Sequence, residues 1–193
     1  VLFISEFSRQ RFQARFAVSP VVRSAVVHHS LDPADYTSDT AGSAPVKPYW
    51  LIIGNALDHK FVGPTLDLVT RAFPGKRLIA IGDRALRRVP HVTQLESGPT
   101  DEARMQATYA SAEIVVFPSF YEGFGLPIVN ALAYGRTVVA RDSALVREIG
   151  GAYRGPGRLV VNESETDLIE RLTRPEHNRP VLEIPLARDG GSP

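Results

Sequence analysis

The residues best suited to chemistry lie in one stretch, Phe117-Pro118-Ser119-Phe120-Tyr121-Glu122-Gly123-Phe124-Gly125-Leu126-Pro127. An apolar run ends at Phe117, two glycines alternate with other residues, and Pro127 opens a helical pattern. Glycine tolerates positive φ and lets a ligand come close to the backbone. Free N–H groups at the start of the next helix, with its dipole, suit phosphate oxygens. Glu122 is the only acid in the loop. Beside phosphate it would repel, so its use there is to accept hydrogen bonds from hydroxyls. A ligand carrying both phosphate and sugar meets both demands. A tight turn with a solvated glutamate meets the same spacing, and strand-loop-helix physics alone leaves both readings open.

Other candidates are fewer. Lysine occurs only at Lys47, Lys60 and Lys76, against a background of arginine. Lys60 follows an apolar strand, where a lone cation is commonly solvated. His28 and His29 are adjacent, and neighbours on a strand point to opposite faces, so the pair is not expected to chelate jointly. Neither has a Cys or acid at ligand spacing, and the chain has no cysteine. No metal site is predicted. The formal net charge of +1 provides no global field toward nucleic acid or acidic lipid. No apolar run approaches the roughly 20 residues that span a bilayer, and no signal peptide is visible. A cytoplasmic setting is expected, in keeping with the absence of cysteine.

These residues need a frame. Val1 to Ile4 reads as a short strand. Ser5 reads as the cap of a helix through Phe16, with Phe7, Phe12 and Phe16 on roughly one face. Val21 to His28 is strand-like. Residues 31–48 are rich in Asp, Ser, Thr, Pro and Gly and read as a linker. Strands and helices then alternate. Strands are expected at Tyr49–Ile53, Arg77–Ile81, His91–Leu95, Ile114–Phe117, Thr137–Ala140 and Leu159–Val161. Helices are expected at Pro64–Phe73, from Thr100 to about Ala112, at Pro127–Tyr134 and Ala144–Ile149, and after the Ser164 cap to about Leu172. Continuous apolar strands separated by helices imply an α/β, Rossmann-like, three-layer domain with a parallel sheet covered on both faces. In such sheets ligands bind beyond the carboxyl ends of the strands, which selects the loops after Ile53, Ile81 and Phe117. Residues 176–193 are expected to fray or dock elsewhere. The opening Val-Leu-Phe-Ile, entered without Met, reads as a chain that is part of something longer.

The stretch Pro118 to Pro127, followed by Ala131-Leu132-Ala133-Tyr134-Gly135 and Thr137-Val138-Val139-Ala140, resembles the signature of family 4 (group 1) retaining glycosyltransferases of the GT-B type. The resemblance extends over most of the chain. Trp50 to Lys60 is similar to the first strand and loop of that family's C-terminal domain, and Leu78 to Gly82 to its second strand. Phe3 to Arg9 resembles the last strand and helix of its N-terminal domain. His28-His29-Ser30-Leu31-Asp32 stands where the family's chain crosses between domains.

The resemblance implies residues 1–30 as a remnant of the N-terminal acceptor domain, 31–48 as linker and 49–175 as the nucleotide-sugar-binding half of a GT-B fold. It implies Lys60 as the cation on the donor diphosphate, with His59 beside it, in the loop that starts at Gly54 and Asn55. Glu122 matches the first Glu of Glu-x7-Glu, on the transferred sugar. Gly123, Phe124, Gly125 and Leu126 match the segment whose amides hold the donor, and Tyr121 flanks it. The second Glu falls at Asn130, which accepts a hydrogen bond from ribose without charge assistance, roughly halving its strength. Altered nucleotide recognition, weaker donor binding and a degenerate copy are the three explanations. The implied reaction transfers a hexose from a nucleoside-diphosphate sugar to a glycan or lipid-linked acceptor with retention. Lys60 and helix amides supply the positive charge, so no metal or other cofactor is required. The acceptor would bind through the N-terminal domain, peripheral contact with the inner membrane face is allowed, and this piece alone is expected to be inactive. The alternative class is a non-catalytic sugar-nucleotide-binding module.

Overall fold

The computed structural model describes residues 1–16, 23–29, 36, 48–82, 89–96 and 102–174. In chain order the elements are β1 (Leu2–Phe3), α1 (Glu6–Arg15), β2 (Ala25–Val26), β3 (Tyr49–Ile53), a single 3-10 turn (Asp58–Lys60), α2 (Val62–Ala72), β4 (Leu78–Gly82), β5 (Val92–Glu96), α3 (Glu102–Ser111), β6 (Ala112–Phe117), α4 (Leu126–Ala133), β7 (Thr137–Arg141), α5 (Ala144–Ala152), β8 (Arg158–Asn162) and α6 (Glu165–Thr173). The expected tail at 176–193, nearly all of the linker and Asp83 lie outside the described residues.

The main sheet has six strands in the order β5-β4-β3-β6-β7-β8, and every pairing is parallel. Period-two alternation splits each strand between two cores. Leu51 and Ile53 face Tyr109, Ile128, Leu132 and Leu145 on one side. Trp50 and Ile52 face Val62, Leu66, Val69 and Leu168 on the other. Helices therefore cover both faces, and Leu51 and Ile52 are fully buried. Each such side chain contributes roughly 2 kcal/mol of burial. Chain order reverses between β3 and β6, so their carboxyl ends open a crevice with no crossover above it, the usual ligand position in this architecture.

Capping residues fix several boundaries. Ser5 accepts from Ser8 N–H at the start of α1. Ser143 caps α5, and Ser164 caps α6 while Asp167 reaches back to Glu163 N–H at 2.9 Å. Some boundaries differ from expectation. The α2 helix begins at Val62, with Pro64 inside its first turn, where a missing N–H costs nothing. The α5 helix runs through Gly150 and Gly151 to Ala152 rather than ending at Ile149, and Tyr153 N–H closes on the Ile149 carbonyl. Among the described residues of the expected second strand, only Ala25–Val26 are extended and paired, while residues 21–22 lie outside the described residues.

β1 and β2 form a separate parallel pair, Leu2 with Ala25 and Phe3 with Val26. The α1 helix buries none of its residues fully. Phe7 reaches the main core, but Phe12 and Phe16 stack on each other at 4.8 Å and remain exposed, so the three aromatics do not share one buried face.

Candidate functional site

The carboxyl ends of β3 and β6 carry the two loops singled out by sequence, and the fold ties them together. Phe120 N–H donates to the His59 carbonyl at 2.8 Å. Ser119 Oγ braces the same junction, donating to the Tyr121 carbonyl at 3.0 Å. Above this staple the Lys60 ammonium pairs with Glu122 Oε1. The two side chains are only 12% and 16% exposed, so water screens the pair weakly.

Local backbone explains how Lys60 is aimed. The 3-10 turn ends at Phe61, a non-glycine residue at φ 53°, which turns the chain sharply into α2. Such a conformation costs a bulky residue about 1 kcal/mol or more. Phe61 packs edge-on against Phe120 at 5.0 Å, and the Arg141 guanidinium lies 3.9 Å from the Phe120 ring centre. Burial lowers the Arg141 pKa, though a guanidinium stays charged.

On the other loop, Gly125 caps α4 at φ 82°, and a Cβ there would meet Ile149 Cδ1 at 3.1 Å. Its carbonyl accepts from Ile128 and Val129 N–H. Pro127 has no N–H to offer. The Phe124, Gly125 and Leu126 amides have no partner among the described residues. They sit where an anion gains from both hydrogen bonds and the helix dipole.

A cavity of about 270 Å³ opens beside the Lys60–Glu122 pair. Gly54, Asn55, Lys60, Glu122 and Pro127 line one part, and Ile81, Met105 and Tyr109 form an apolar end. The arrangement offers a cation, a carboxylate and apolar side chains within one recess. Burial pushes the Tyr109 phenol well above its usual pKa, so it stays neutral.

Not every candidate converges there. His59 lends its carbonyl to the staple, while its ring rests 6.2 Å from that of Tyr121. Tyr121 is half-exposed outside the recess, and Leu126 is also exposed. The Gly123 carbonyl is taken by Ser5 and Ser8 at 2.8 Å each. The Phe124 side chain lines a second cavity of about 230 Å³ with His28, His29 and Glu148. Asn130 Oδ1 accepts from Tyr36 OH at 2.8 Å, and the Tyr36 ring packs against Tyr134.

The histidine pair needs a correction. β2 ends at Val26, so strand alternation does not govern His28 and His29. Both rings approach the same Phe124 ring, at 6.1 and 4.8 Å. His28 Nε2 also meets Glu148 Oε1 at 2.8 Å. Among the described residues no group of three His, Asp or Glu is placed to hold a metal ion.

Several contributors were not found by sequence reasoning: Met105, Tyr109, Tyr36, Ser8 and Glu148. Tyr109 carries a faint signal, a large aromatic in a polar helix. The others depend on contacts between distant segments.

Comparison with known proteins bears on the family and the fold. The family described as glycosyl transferases group 1 matches residues 92–187. An MMP alpha-(1->4)-mannosyltransferase of Mycolicibacterium hassiacum is 36% identical over 110 residues, 56% of this chain and 26% of that protein. O-antigen chain mannosyltransferase B of Escherichia coli is 41% identical over 61 residues, 32% of this chain and 15% of that protein. Among solved structures, Anabaena Alr3699/HepE in complex with UDP-glucose superposes with a TM-score of 0.67 at 18% identity, covering 92% of this chain and 54% of that one. Sucrose-phosphate synthase from Thermosynechococcus elongatus gives 0.61 at 20% identity, covering 95% and 51%. The matched parts thus span about a quarter or less of the curated relatives and about half of these two solved chains.

Proposed function

Because the chain belongs to the group 1 glycosyltransferases of the GT-B type, we propose that it forms the donor-binding half of a hexosyltransferase that uses a nucleoside-diphosphate sugar. Residues 49–175 are the donor domain, 1–30 belong with the acceptor domain, and 31–48 cross between them. The observation that carries this reading is the meeting of Lys60 and Glu122 in one recess at the β3/β6 crevice, which also takes in Pro127 of the first turn of α4.

Each group has a task in the proposed reaction. The anomeric carbon loses the nucleoside diphosphate, and negative charge grows on the departing phosphate oxygen. Once Lys60 has turned from Glu122 to the phosphate, it and the Phe124, Gly125 and Leu126 amides stabilise that charge, the electrostatic contribution that is usually largest in catalysis. Glu122, released from Lys60, accepts hydrogen bonds from sugar hydroxyls. Gly54 and Asn55 border the diphosphate, and the Ile81, Met105 and Tyr109 end takes the nucleoside. His59 and Tyr121 stand at the rim. Asn130 faces the ribose only if Tyr36 gives way.

The resemblance supports retention of anomeric configuration and a glycan or lipid-linked acceptor, bound by the part of the relatives' length that this chain does not span. Both curated relatives are named mannosyltransferases, which favours mannose as the transferred hexose. Positive charge at the leaving group comes from Lys60 and amides, and the mechanism assigned here needs no metal. The setting we assign is cytoplasmic, at or near the membrane surface for a lipid-linked acceptor. No helix among the described residues is long and apolar enough to cross a membrane.

Calorimetric titration of UDP, GDP and ADP tests the reading, with Lys60→Ala and Glu122→Ala as controls. Weak binding of one nucleoside diphosphate in preference to its nucleoside is expected. Lys60→Ala should lose about ten- to a hundredfold in affinity, the worth of a hydrogen bond to a charged group. Equal affinity for diphosphate and nucleoside would overturn the assignment. The chain by itself should transfer no sugar.

A further inference from the structure

The segment from Glu122 to Leu126 must hold a carboxylate and three amides in register, yet two of its five residues are glycine. Its stiffness comes from neighbours. On one side stands the His59–Phe120 staple. On the other stands the first turn of α1, more than a hundred residues away in sequence. Ser5 Oγ and Ser8 Oγ each lie 2.8 Å from the Gly123 carbonyl oxygen, and 2.8 Å from each other. Ser5 is 1% exposed. Ile4 Cδ1 lies 3.4 Å from the place a Cβ on Gly123 would occupy. The α1 turn is itself held by Glu148, whose carboxylate oxygens accept from Glu6 and Phe7 N–H at 2.7 and 2.9 Å.

The peptide plane turns this contact into a functional one. The Gly123 carbonyl and the Phe124 N–H belong to the same planar trans unit and point in opposite directions. Holding the oxygen toward α1 fixes the Phe124 N–H in the same plane, pointing away from α1. The neighbouring Glu122 side chain is constrained by the same unit.

We propose that Ser5 and Ser8 are positioning residues for the donor: by holding the Gly123 carbonyl they orient the Phe124 amide and the Glu122 carboxylate, so that donor affinity depends on α1 being docked. This rests on the function assigned above. The coupling is reciprocal, since a ligand that prefers the held loop tightens the docking of α1 by the same factor.

Ser8→Ala removes one hydroxyl but keeps the Ser5 helix cap, so the variant folds with α1 intact. It should bind UDP or GDP about three- to tenfold more weakly, with only a small fall in melting temperature. The Phe124 amide resonance should shift even without nucleotide. Ser5→Ala with Ser8→Ala should lose more, and Ser5→Thr, which keeps hydroxyl and cap, should bind like the unmodified chain. The inference is overturned if Ser8→Ala and the double variant bind as the unmodified chain does while Lys60→Ala binds more weakly. If Lys60→Ala also binds unchanged, the assigned function fails instead. An unmoved Phe124 resonance in Ser8→Ala then refutes the positioning role independently.

Discussion

Replacing Glu122 with glutamine removes one negative charge and keeps the length of the side chain. In the empty site that charge pairs with Lys60, and both groups are nearly enclosed. A nucleoside diphosphate must draw the ammonium away and then sit beside the carboxylate. Two unit charges about 4 Å apart at an effective dielectric near 20 interact by roughly 4 kcal/mol. Glutamine keeps a hydrogen bond to the ammonium, and solvent recovers part of the rest. A net gain of about 1–2 kcal/mol remains, roughly tenfold tighter binding of free UDP or GDP. The nucleotide sugar should gain less, because the amide oxygen accepts sugar hydroxyls without charge assistance. Calorimetry at fixed ionic strength reads both affinities. Glu122→Gln binding free diphosphate no better than the unmodified chain would refute the idea that Lys60 is shared between the carboxylate and phosphate.

Two further outcomes follow from the geometry. Gly54→Ala places a Cβ 2.5 Å from Val62 Cγ2 and 3.0 Å from Lys60 Cβ. It should lower both the melting temperature and UDP affinity, measured by calorimetry on the same preparation. Burial raises the phenol pKa values of Tyr49, Tyr109 and Tyr153. Above about pH 10 the unfolded chain loses these protons before the folded one does, so stability is intact below that pH and falls as pH rises, by up to about 1.4 kcal/mol per pH unit for each group. Urea titrations between pH 9 and 11 should show that fall, and Tyr109→Phe should flatten it.

The fold was largely legible because its strands are unbroken apolar runs. Tyr49–Ile53 and Ile114–Phe117 admit little other than buried parallel strands, and Ser5 and Ser164 mark helix starts by chemistry that acts within four residues. Boundaries slipped where a local signal was overruled. The helix expected at Ala144–Ile149 continues through Gly150 and Gly151 to Ala152, with Leu145, Val146 and Ile149 anchored in the core. The candidate site was legible as parts. Lys60, Glu122 and the glycine loop each carry a local signature. Tyr36 on Asn130 and Ser5 and Ser8 on Gly123 carry none, since those contacts join segments about 94 to 118 residues apart. The histidine pair was misread for a related reason: the alternation rule was applied two residues beyond the end of its strand.

The pairing of Lys60 with Glu122 also bears on how such a site survives empty. A cation and a carboxylate, both mostly removed from water, would each destabilise the chain if left alone, by a few kcal/mol once unpaired. In the proposed reaction their directions differ: one toward phosphate, the other toward sugar hydroxyls. Placed in the loops that follow adjacent strands at the switch point, they satisfy each other, and on the proposed reading they do so until a ligand arrives that offers both an anion and hydroxyl donors. A ligand with phosphate alone releases the ammonium but leaves the carboxylate beside new negative charge. A neutral sugar alone leaves the ion pair no reason to open. The pair therefore discriminates for a molecule that carries both groups at once. For that reason Glu122→Gln should narrow the gap between diphosphate and sugar-diphosphate rather than merely weaken both.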